Sequence, residues 1–407
     1  MRTDYNSEQS LVMHVDLNSA FATAEQQARP MLRGRPVVVV NRRTEHTAIV
    51  TASYEAKARG VVVGMKVAQA KLLVPDLIAV ESDPAKYRFV YKKLLAILND
   101  YSPHVTMKSI DEGVIDFYGI TIDRSLVEIG HEIKRRLKDE IGCAMRCNVG
   151  ISTNRFLAKT AAGLHKPDGL DEINHENLRT VLATLKLRDL TGIAYHNEAR
   201  LNAVGITTPL QFLDTDPVTL EKVVFKSIVG GHWHQRLRGW EVDDRVFDIK
   251  RVGRQFVLER RDLSRQQIMQ RLHHLCESVG ARLRGQGKAA RGVYVYAKTA
   301  DRRYWHASHM AQLPFYSDAT IYSLAERLFY KAPGDIREIG VHCYELSTDD
   351  QPQTSLFGDM LAREHQLVSA IDTINGRYGD RTVHSADTLQ TGDFVKQKIP
   401  FGSTRYL

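Results

Sequence analysis

The feature that most restricts the fold is a pair of adjacent carboxylates, Asp111 and Glu112, set between two short apolar runs in KSIDEGVIDF (Lys108–Phe117). Neighbouring residues of a regular strand point to opposite faces. Two acids that share one task therefore need a turn, and Gly113 suits a hairpin tip. The flanking stretches HVTMKSI and GVIDFYG read as the two strands of that hairpin.

Upstream, LVMHVDL (Leu11–Leu17) alternates as a strand does, with Val12, His14 and Asp16 on one face and Leu11, Met13, Val15 and Leu17 on the other. NSAFATAEQQA follows with helix formers and an Asn start signal. GRPVVVV and TAIVTAS read as strands, and YEAKARGV as a helix ending near Gly60. Tyr87, Val90, Tyr91, Leu94, Leu95 and Leu98 recur at helical spacing, as do Leu126, Ile129, Ile133, Leu137 and Ile141, and AMRCNVGIS returns as a strand. The order is β-α-(insert)-β-β-α-β, the ferredoxin-like pattern with an insertion after its first helix. In that topology the first strand and the hairpin can be neighbours in one sheet, so Asp16 converges with Asp111 and Glu112. Three carboxylates on a sheet edge suit oxygen-loving Mg²⁺. Two such ions about 4 Å apart support in-line phosphoryl transfer. Taken singly, each acid would be a solvated strand end.

The chain has 407 residues, room for two to four domains, and 43% hydrophobic and 26% charged residues, ordinary for a globular protein. No run approaches the ~20 apolar residues of a membrane span. MRTDYNSEQS has no apolar signal core, so a cytoplasmic protein is expected. Four cysteines, with no second pair or nearby His to complete a zinc site around Cys143 and Cys147, read as idle thiols. Net charge is +8, and Lys250–Arg303 carries 14 Lys+Arg against 4 Asp+Glu, a balance that suits nucleic acid.

Beyond Gly150, STNRFLAKTAAGLHKPDG reads as a capped helix, and Leu190–Ile206 as a helix-hairpin-helix with Gly192 and Gly205 at its turns. Such hairpins hold a phosphate backbone through main-chain N–H groups; a plain helical pair fits the pattern equally. RGWEVDDRVFD is a polar connection. The basic segment after it mixes strands (GRQFVLER, GVYVYAKTA, EIGVHCYEL) with helices at Arg265–Leu283 and Asp318–Tyr330, a separate α+β domain. STDDQPQTSLFGD reads as a linker before an amphipathic stretch, Glu364–Tyr378.

These blocks, taken in order (VDLNSAFATAE, GRPVVV, TASYEAKARGV, SIDE, VGISTNRFLAKTAAG, KPDG, the helical hairpin and the basic domain), resemble the Y-family of translesion DNA polymerases, near the bacterial DNA polymerase IV group, over residues 11–348. The resemblance implies an α+β multidomain right-hand polymerase: a ferredoxin-like palm (1–25 and 76–165), small fingers (26–75), a helical helix-hairpin-helix thumb (166–240), a linker (241–248), an α+β little finger (249–348) and a C-terminal tail (349–407). It implies two Mg²⁺ ions on Asp16, Asp111, Glu112 and the Leu17 carbonyl. Phe21 falls at the steric gate against a ribose 2′-OH. Tyr54, Lys159, Lys57 and Thr51 would contact the incoming triphosphate. Gly192, Ala194, Arg251 and Arg254 would contact DNA, and Gln353, Leu356 and Phe357 of QTSLF resemble a sliding-clamp peptide. The implied partners are primer-template DNA, dNTP and the clamp, bound by a monomer. Three positions depart from the family pattern: Asn18 where many members carry an acid, Lys57 where Arg is frequent, and Ala194 for the second glycine of the thumb hairpin. A DNA- and clamp-binding scaffold with weak catalysis would have lost an acid. A nucleotide cyclase would not need the hairpin or the basic domain.

Overall fold

The structure, a computed structural model, describes residues 4–245, 248–348, 358–392 and 394–395, without the side chains of 358–362. The described chain divides after Arg245 into two compact units.

The first unit runs β1 (Val12–Leu17), α1 (Ala20–Ala28), β2 (Val37–Val40), β3 (Ile49–Ala52), α2 (Tyr54–Ala58), α3 (Val67–Leu73), β4 (Ile78–Glu81), α4 (Pro84–Asn99), β5 (Val105–Met107), β6 (Glu112–Asp116), α5 (Leu126–Glu140), β7 (Cys147–Ser152), α6 (Arg155–Leu164) and β8 (Leu170–Ile173). Five strands form one sheet in the order β5-β6-β1-β7-β8. Its first four strands are antiparallel neighbours, the ferredoxin-like arrangement; β8 adds a parallel edge beside β7. The alternation of β1 sorts its side chains as expected. Met13, Val15 and Leu17 join the core with Phe21 of α1, Leu94 and Leu98 of α4, and Ile133 and Leu137 of α5. Val12 instead meets Val114 of β6 and Ala158 of α6 on the other face. The helices start where the sequence marks them. Asp83 accepts from Ala85 N–H at 3.1 Å ahead of α4, Ser125 and Glu128 form a capping box on α5, and Asn154 accepts from Leu157 N–H at 2.7 Å on α6. At α1 the expectation fails. The helix begins at Ala20, Ser19 takes a left-handed φ of 48°, and the Asn18 side chain is engaged elsewhere.

The insert between α1 and α4 is a small body of its own. β2 lies between β3 and β4, and Val38, Val40, Ile49 and Ala52 pack under Ala56, Val67 and Ala70 of α2 and α3. Past β8, α7 (Leu178–Thr184), α8 (Tyr195–Asn202), α9 (Pro209–Asp214), α10 (Pro217–Thr219) and α11 (Val229–Leu237) gather around Phe212, Leu220, Trp233 and Leu237. Gly192 turns the chain into α8 with φ of 96°, beside the Trp233 ring.

The second unit runs β9 (Arg251–Val257), α12 (Arg265–Arg284), β10 (Lys288–Thr299), β11 (Tyr304–Phe315), α13 (Asp318–Phe329), β12 (Ile336–Thr348) and α14 (Gly358–Tyr378). The sheet order is β11-β10-β12-β9, antiparallel throughout. One face packs Val293, Val295 and Val341 against Leu272, Leu275 and Val279 of α12 and Ile321 and Phe329 of α13. Residues 358–395 are not a loose tail where they are described. Arg284 of α12 holds Asp372 of α14 at 2.6 and 2.9 Å, Glu277 accepts from Arg381, Ser385 N–H and Thr388, and Val395 is buried in the domain core.

One close approach sets where α6 can lie. A Cβ on Gly150 of β7 would stand 2.0 Å from the Ala158 carbonyl oxygen and 2.3 Å from the Ala162 nitrogen, so the helix rests directly on the strand. Both obstacles are backbone and cannot rotate away. Gly150→Ala should therefore push α6 outward and cost roughly 3 kcal/mol. Urea unfolding checks this, and an unchanged midpoint would mean the contact is looser than described.

Candidate active site

The three carboxylates come from two paired strands and the turn between β5 and β6. Asp16 lies opposite Glu112 in the β1–β6 register, and Leu17 N–H donates to the Asp111 carbonyl at 2.9 Å. The turn is closed by Lys108 N–H and Ser109 N–H, both donating to the Glu112 carbonyl. The sheet thus carries all three acids to one end, as the strand order requires.

Each carboxylate has a partner from the chain itself. Glu112 accepts from Lys159 Nζ on α6 at 2.6 Å and lies 3.1 Å from His14 Nε2. Lys166 Nζ donates to Asp16, and Ser109 Oγ to Asp111. Burial alone would raise the Glu112 pKa, but the hydrogen bonds from His14 and Lys159 outweigh it and bring it down to about 2. Among the described residues no such cation pairs with Asp111. Burial first, then the charges of Asp16 and Glu112, push it above the usual carboxylate range in spite of the Ser109 bond.

Behind Asp16 a second set of groups gathers. Tyr54 and Lys57 stand on α2, whose N-cap Ser53 accepts from Ala56 N–H. Lys57 Nζ donates to Ser19 Oγ at 2.8 Å and lies 4.8 Å over the Tyr54 ring. Loss of water around the Tyr54 hydroxyl, then the Asp16 charge, raise its pKa. Thr51 is on β3, paired with Val39 and half-buried. Phe21 is 5% exposed and stacks on Tyr87 at 4.4 Å, and Tyr87 in turn donates to the buried Glu25 at 2.9 Å. The Phe21 ring is thus held from behind.

His14, Ser109 and Lys166 were not singled out from the sequence. His14 shares a face with Asp16 by simple alternation, which was the signal available. The Asn18 departure has a local use. Its Oδ1 accepts from Asp168 N–H at 2.8 Å and its Nδ2 donates to Asn148 Oδ1 at 2.8 Å. An aspartate could make the first bond and not the second.

Among the described residues no group of three or more His, Cys, Asp or Glu side chains is placed to hold a metal ion. The chemistry nonetheless fits. Three oxygen-bearing acids share one end of a sheet, and two of them hold ammonium groups as counter-charges.

The proposed DNA contacts divide. Arg251 is exposed and alternates with Val252, a core residue. Arg254 is corrected: it lies on the helix-facing side of β9, donating to Ser278 of α12 and to the Val395 carbonyl at 3.2 Å. Burial lowers its pKa to about 10. Other basic residues counted in the excess also bind inward. Arg271 holds Glu259 at 3.0 Å, Arg284 holds Asp318 at 2.7 Å, and Arg265 donates to the Ala332 carbonyl at 3.3 Å. The opposite sheet face carries rings, with Tyr296 stacked on Tyr304 at 5.4 Å and on His342 at 5.9 Å. Gly192 and Ala194 both precede α8, where Ala194 as N-cap adopts extended backbone that needs no glycine. Gln353, Leu356 and Phe357 lie outside the described residues.

The raised Asp111 pKa is a stability cost with a definite sign. Above the ordinary carboxylate pKa the unfolded chain is ionised there, while the folded chain resists ionisation, so rising pH destabilises the fold through that window. Asp111→Asn removes the cost. In chelator at pH 7 it should melt a few degrees higher than wild type, and the advantage should vanish below pH ~3.8, the ordinary aspartate value. Calorimetry across pH checks this; equal melting at pH 7 contradicts it.

Residues 15–163 match the impB/mucB/samB family, and residues 249–356 match its C-terminal domain. A DNA polymerase IV of Moorella thermoacetica is 33% identical over 93% of this chain and 96% of its own. DNA polymerase IV 1 of Bacillus subtilis is 28% identical over 93% of each chain. Among solved structures, a Y-family DNA polymerase chimera of Dbh and Dpo4 superposes with a TM-score of 0.70 at 22% identity, covering 82% of this chain and 98% of that one. An insertion ternary complex of Dbh DNA polymerase gives 0.58 at 22% identity, with the same coverage. The ordered blocks, the carboxylate-bearing sheet and these matches along both units agree: the chain belongs to the impB/mucB/samB family, the Y-family of DNA polymerases.

Proposed function

We propose that this Y-family polymerase carries out template-directed, damage-tolerant DNA synthesis at the site built on Asp16, Asp111 and Glu112. The observation that carries the reading is the meeting of three carboxylates at one end of a sheet with a lysine on two of them. Asp16, Asp111, Glu112 and the Leu17 carbonyl would hold two Mg²⁺ ions, which would ease deprotonation of the primer 3′-hydroxyl and neutralise the leaving phosphates. The hydroxyl gives its proton to water, its oxygen bonds to the α-phosphorus of the dNTP, the bond to the bridging oxygen breaks, and pyrophosphate leaves with that electron pair. Tyr54, Lys57, Lys159 and Thr51 orient the triphosphate, and the Lys159 ammonium exchanges Glu112 for phosphate. Phe21, braced by Tyr87, excludes a ribose 2′-hydroxyl. Catalysis is positioning and electrostatics rather than covalent chemistry by the protein.

In this reading residues 1–25 and 76–165 are the palm, 26–75 the fingers, 166–240 the thumb, 241–248 a linker and 249–348 the little finger. Two strands cross these bounds by their pairing: β4 (Ile78–Glu81) joins the sheet of the fingers insert, and β8 (Leu170–Ile173) extends the palm sheet beside β7. Arg251 with the hairpin at Gly192 and Ala194 grips primer-template DNA, with strong salt dependence. Gln353, Leu356 and Phe357 dock the monomeric enzyme on a sliding clamp in the cytoplasm. No described helix is long and apolar enough to cross a membrane.

Primer extension with Mg²⁺ and single dNTPs, on intact and abasic templates, tests the reading. Wild type should extend, and Asp111→Asn combined with Glu112→Gln should not, while both bind DNA alike. If neither extends even with the clamp added, a scaffold role replaces synthesis. In the same assay Phe21→Ala should relax discrimination against ribonucleotides by about a hundredfold. Unchanged discrimination would make Phe21 a core aromatic only.

A further inference from the structure

We infer that His14 is a positioning residue of this site, one that fixes which oxygen of Glu112 is offered to a divalent cation; the inference rests on the polymerase reading above. His14 Nε2 lies 3.1 Å from Glu112 Oε2. A carboxylate only accepts, so the ring nitrogen is the donor and carries the proton. Lys159 Nζ donates to the same oxygen at 2.6 Å. Both donors therefore take Oε2, and Oε1 is the oxygen left to a cation.

The two donors differ in how they are held. Lys159 is 33% exposed, at the end of a flexible stem on α6 that can swing to phosphate. His14 is 1% exposed. It stands on β1 two residues before Asp16 and on the same face. Its register partners are Val114 of β6 and Gly150 of β7, both under α6. A ring enclosed by close-packed neighbours keeps one orientation. When Lys159 leaves Glu112, the histidine bond is the one that stays.

The fold carries a cost for that bond. His14 Nδ1 is buried, and among the described residues no hydrogen-bond partner reaches it. An unpaired buried polar atom is destabilising. The face around it is apolar, with Val12, Val114 and Ala158 packed together. An apolar side chain would serve packing better there, so the imidazole is explained by its Nε2 end. Hydrogen bonds to a metal-ligating carboxylate set its orientation, and losing one weakens metal binding or turnover by about ten- to a hundredfold.

His14→Phe keeps a buried ring without the donor, and His14→Gln keeps a donor that can reach the same oxygen. Both are made in the full chain. With Mn²⁺ alone, followed by paramagnetic resonance without DNA or nucleotide, His14→Phe should bind the ion about tenfold more weakly, and His14→Gln should restore most of the loss. Added to Glu112→Gln, His14→Phe should weaken Mn²⁺ no further, since its effect runs through that carboxylate. In single-nucleotide insertion, His14→Phe should lower kcat about tenfold with the dNTP KM changed far less. Unchanged Mn²⁺ affinity in His14→Phe, unchanged kcat, or a loss that persists on Glu112→Gln overturns the inference and leaves a packing role. So does His14→Gln binding Mn²⁺ as weakly as His14→Phe at an equal melting temperature. If wild type inserts nothing, synthesis itself fails, while the Mn²⁺ comparison still decides the role of His14.

Discussion

The antiparallel pairing of β1 with β6 is the interaction on which the site depends. Asp16 opposite Glu112, with Leu17 N–H bonded to the Asp111 carbonyl, brings three negative groups to one sheet end. Like charges so placed repel, and burial makes the repulsion worse for Asp111. The chain offsets part of this with Lys159 on Glu112 and Lys166 on Asp16, while Asp111 accepts from the Ser109 hydroxyl. A carboxylate kept above its ordinary pKa costs stability and marks a place where function outranks folding.

The surrounding packing serves that sheet end. α1, α4 and α5 bury one face and α6 the other. The bare Gly150 lets α6 lie directly on β7, from which Lys159 reaches Glu112. α2 presents Tyr54 and Lys57 from the inserted small sheet, next to Ser19 at the head of α1. The site is thus assembled from strand ends, a turn and two helices, each positioned by core contacts rather than by the charged groups themselves.

Strong periodicity was legible. The alternation in Val12–Leu17 and the helical spacing of Leu126–Ile141 led directly to β1 and α5, and strand order then brought the acids together. Weak or mixed patterning was not. β11 carries exposed Tyr304, His306, Ser308 and Met310 between half-buried Trp305 and Ala307 and exposed His309, so neither face reads as apolar. β8, four residues with one buried, has no period to detect. Arg254 shows the limit of counting charge: only the three-dimensional alternation of β9 reveals that it faces α12. The lysine on Asp16 comes from a loop 150 residues away, and no local spacing encodes that.

The most direct test of the account is crystallographic. Crystals of the wild-type chain with Mn²⁺ and a non-hydrolysable dNTP would locate the metal by anomalous scattering. The account predicts Mn²⁺ bonded to the Asp16, Asp111 and Glu112 carboxylates, with the Lys159 ammonium group moved onto phosphate. Mn²⁺ bound elsewhere, with Lys159 still on Glu112, would contradict it.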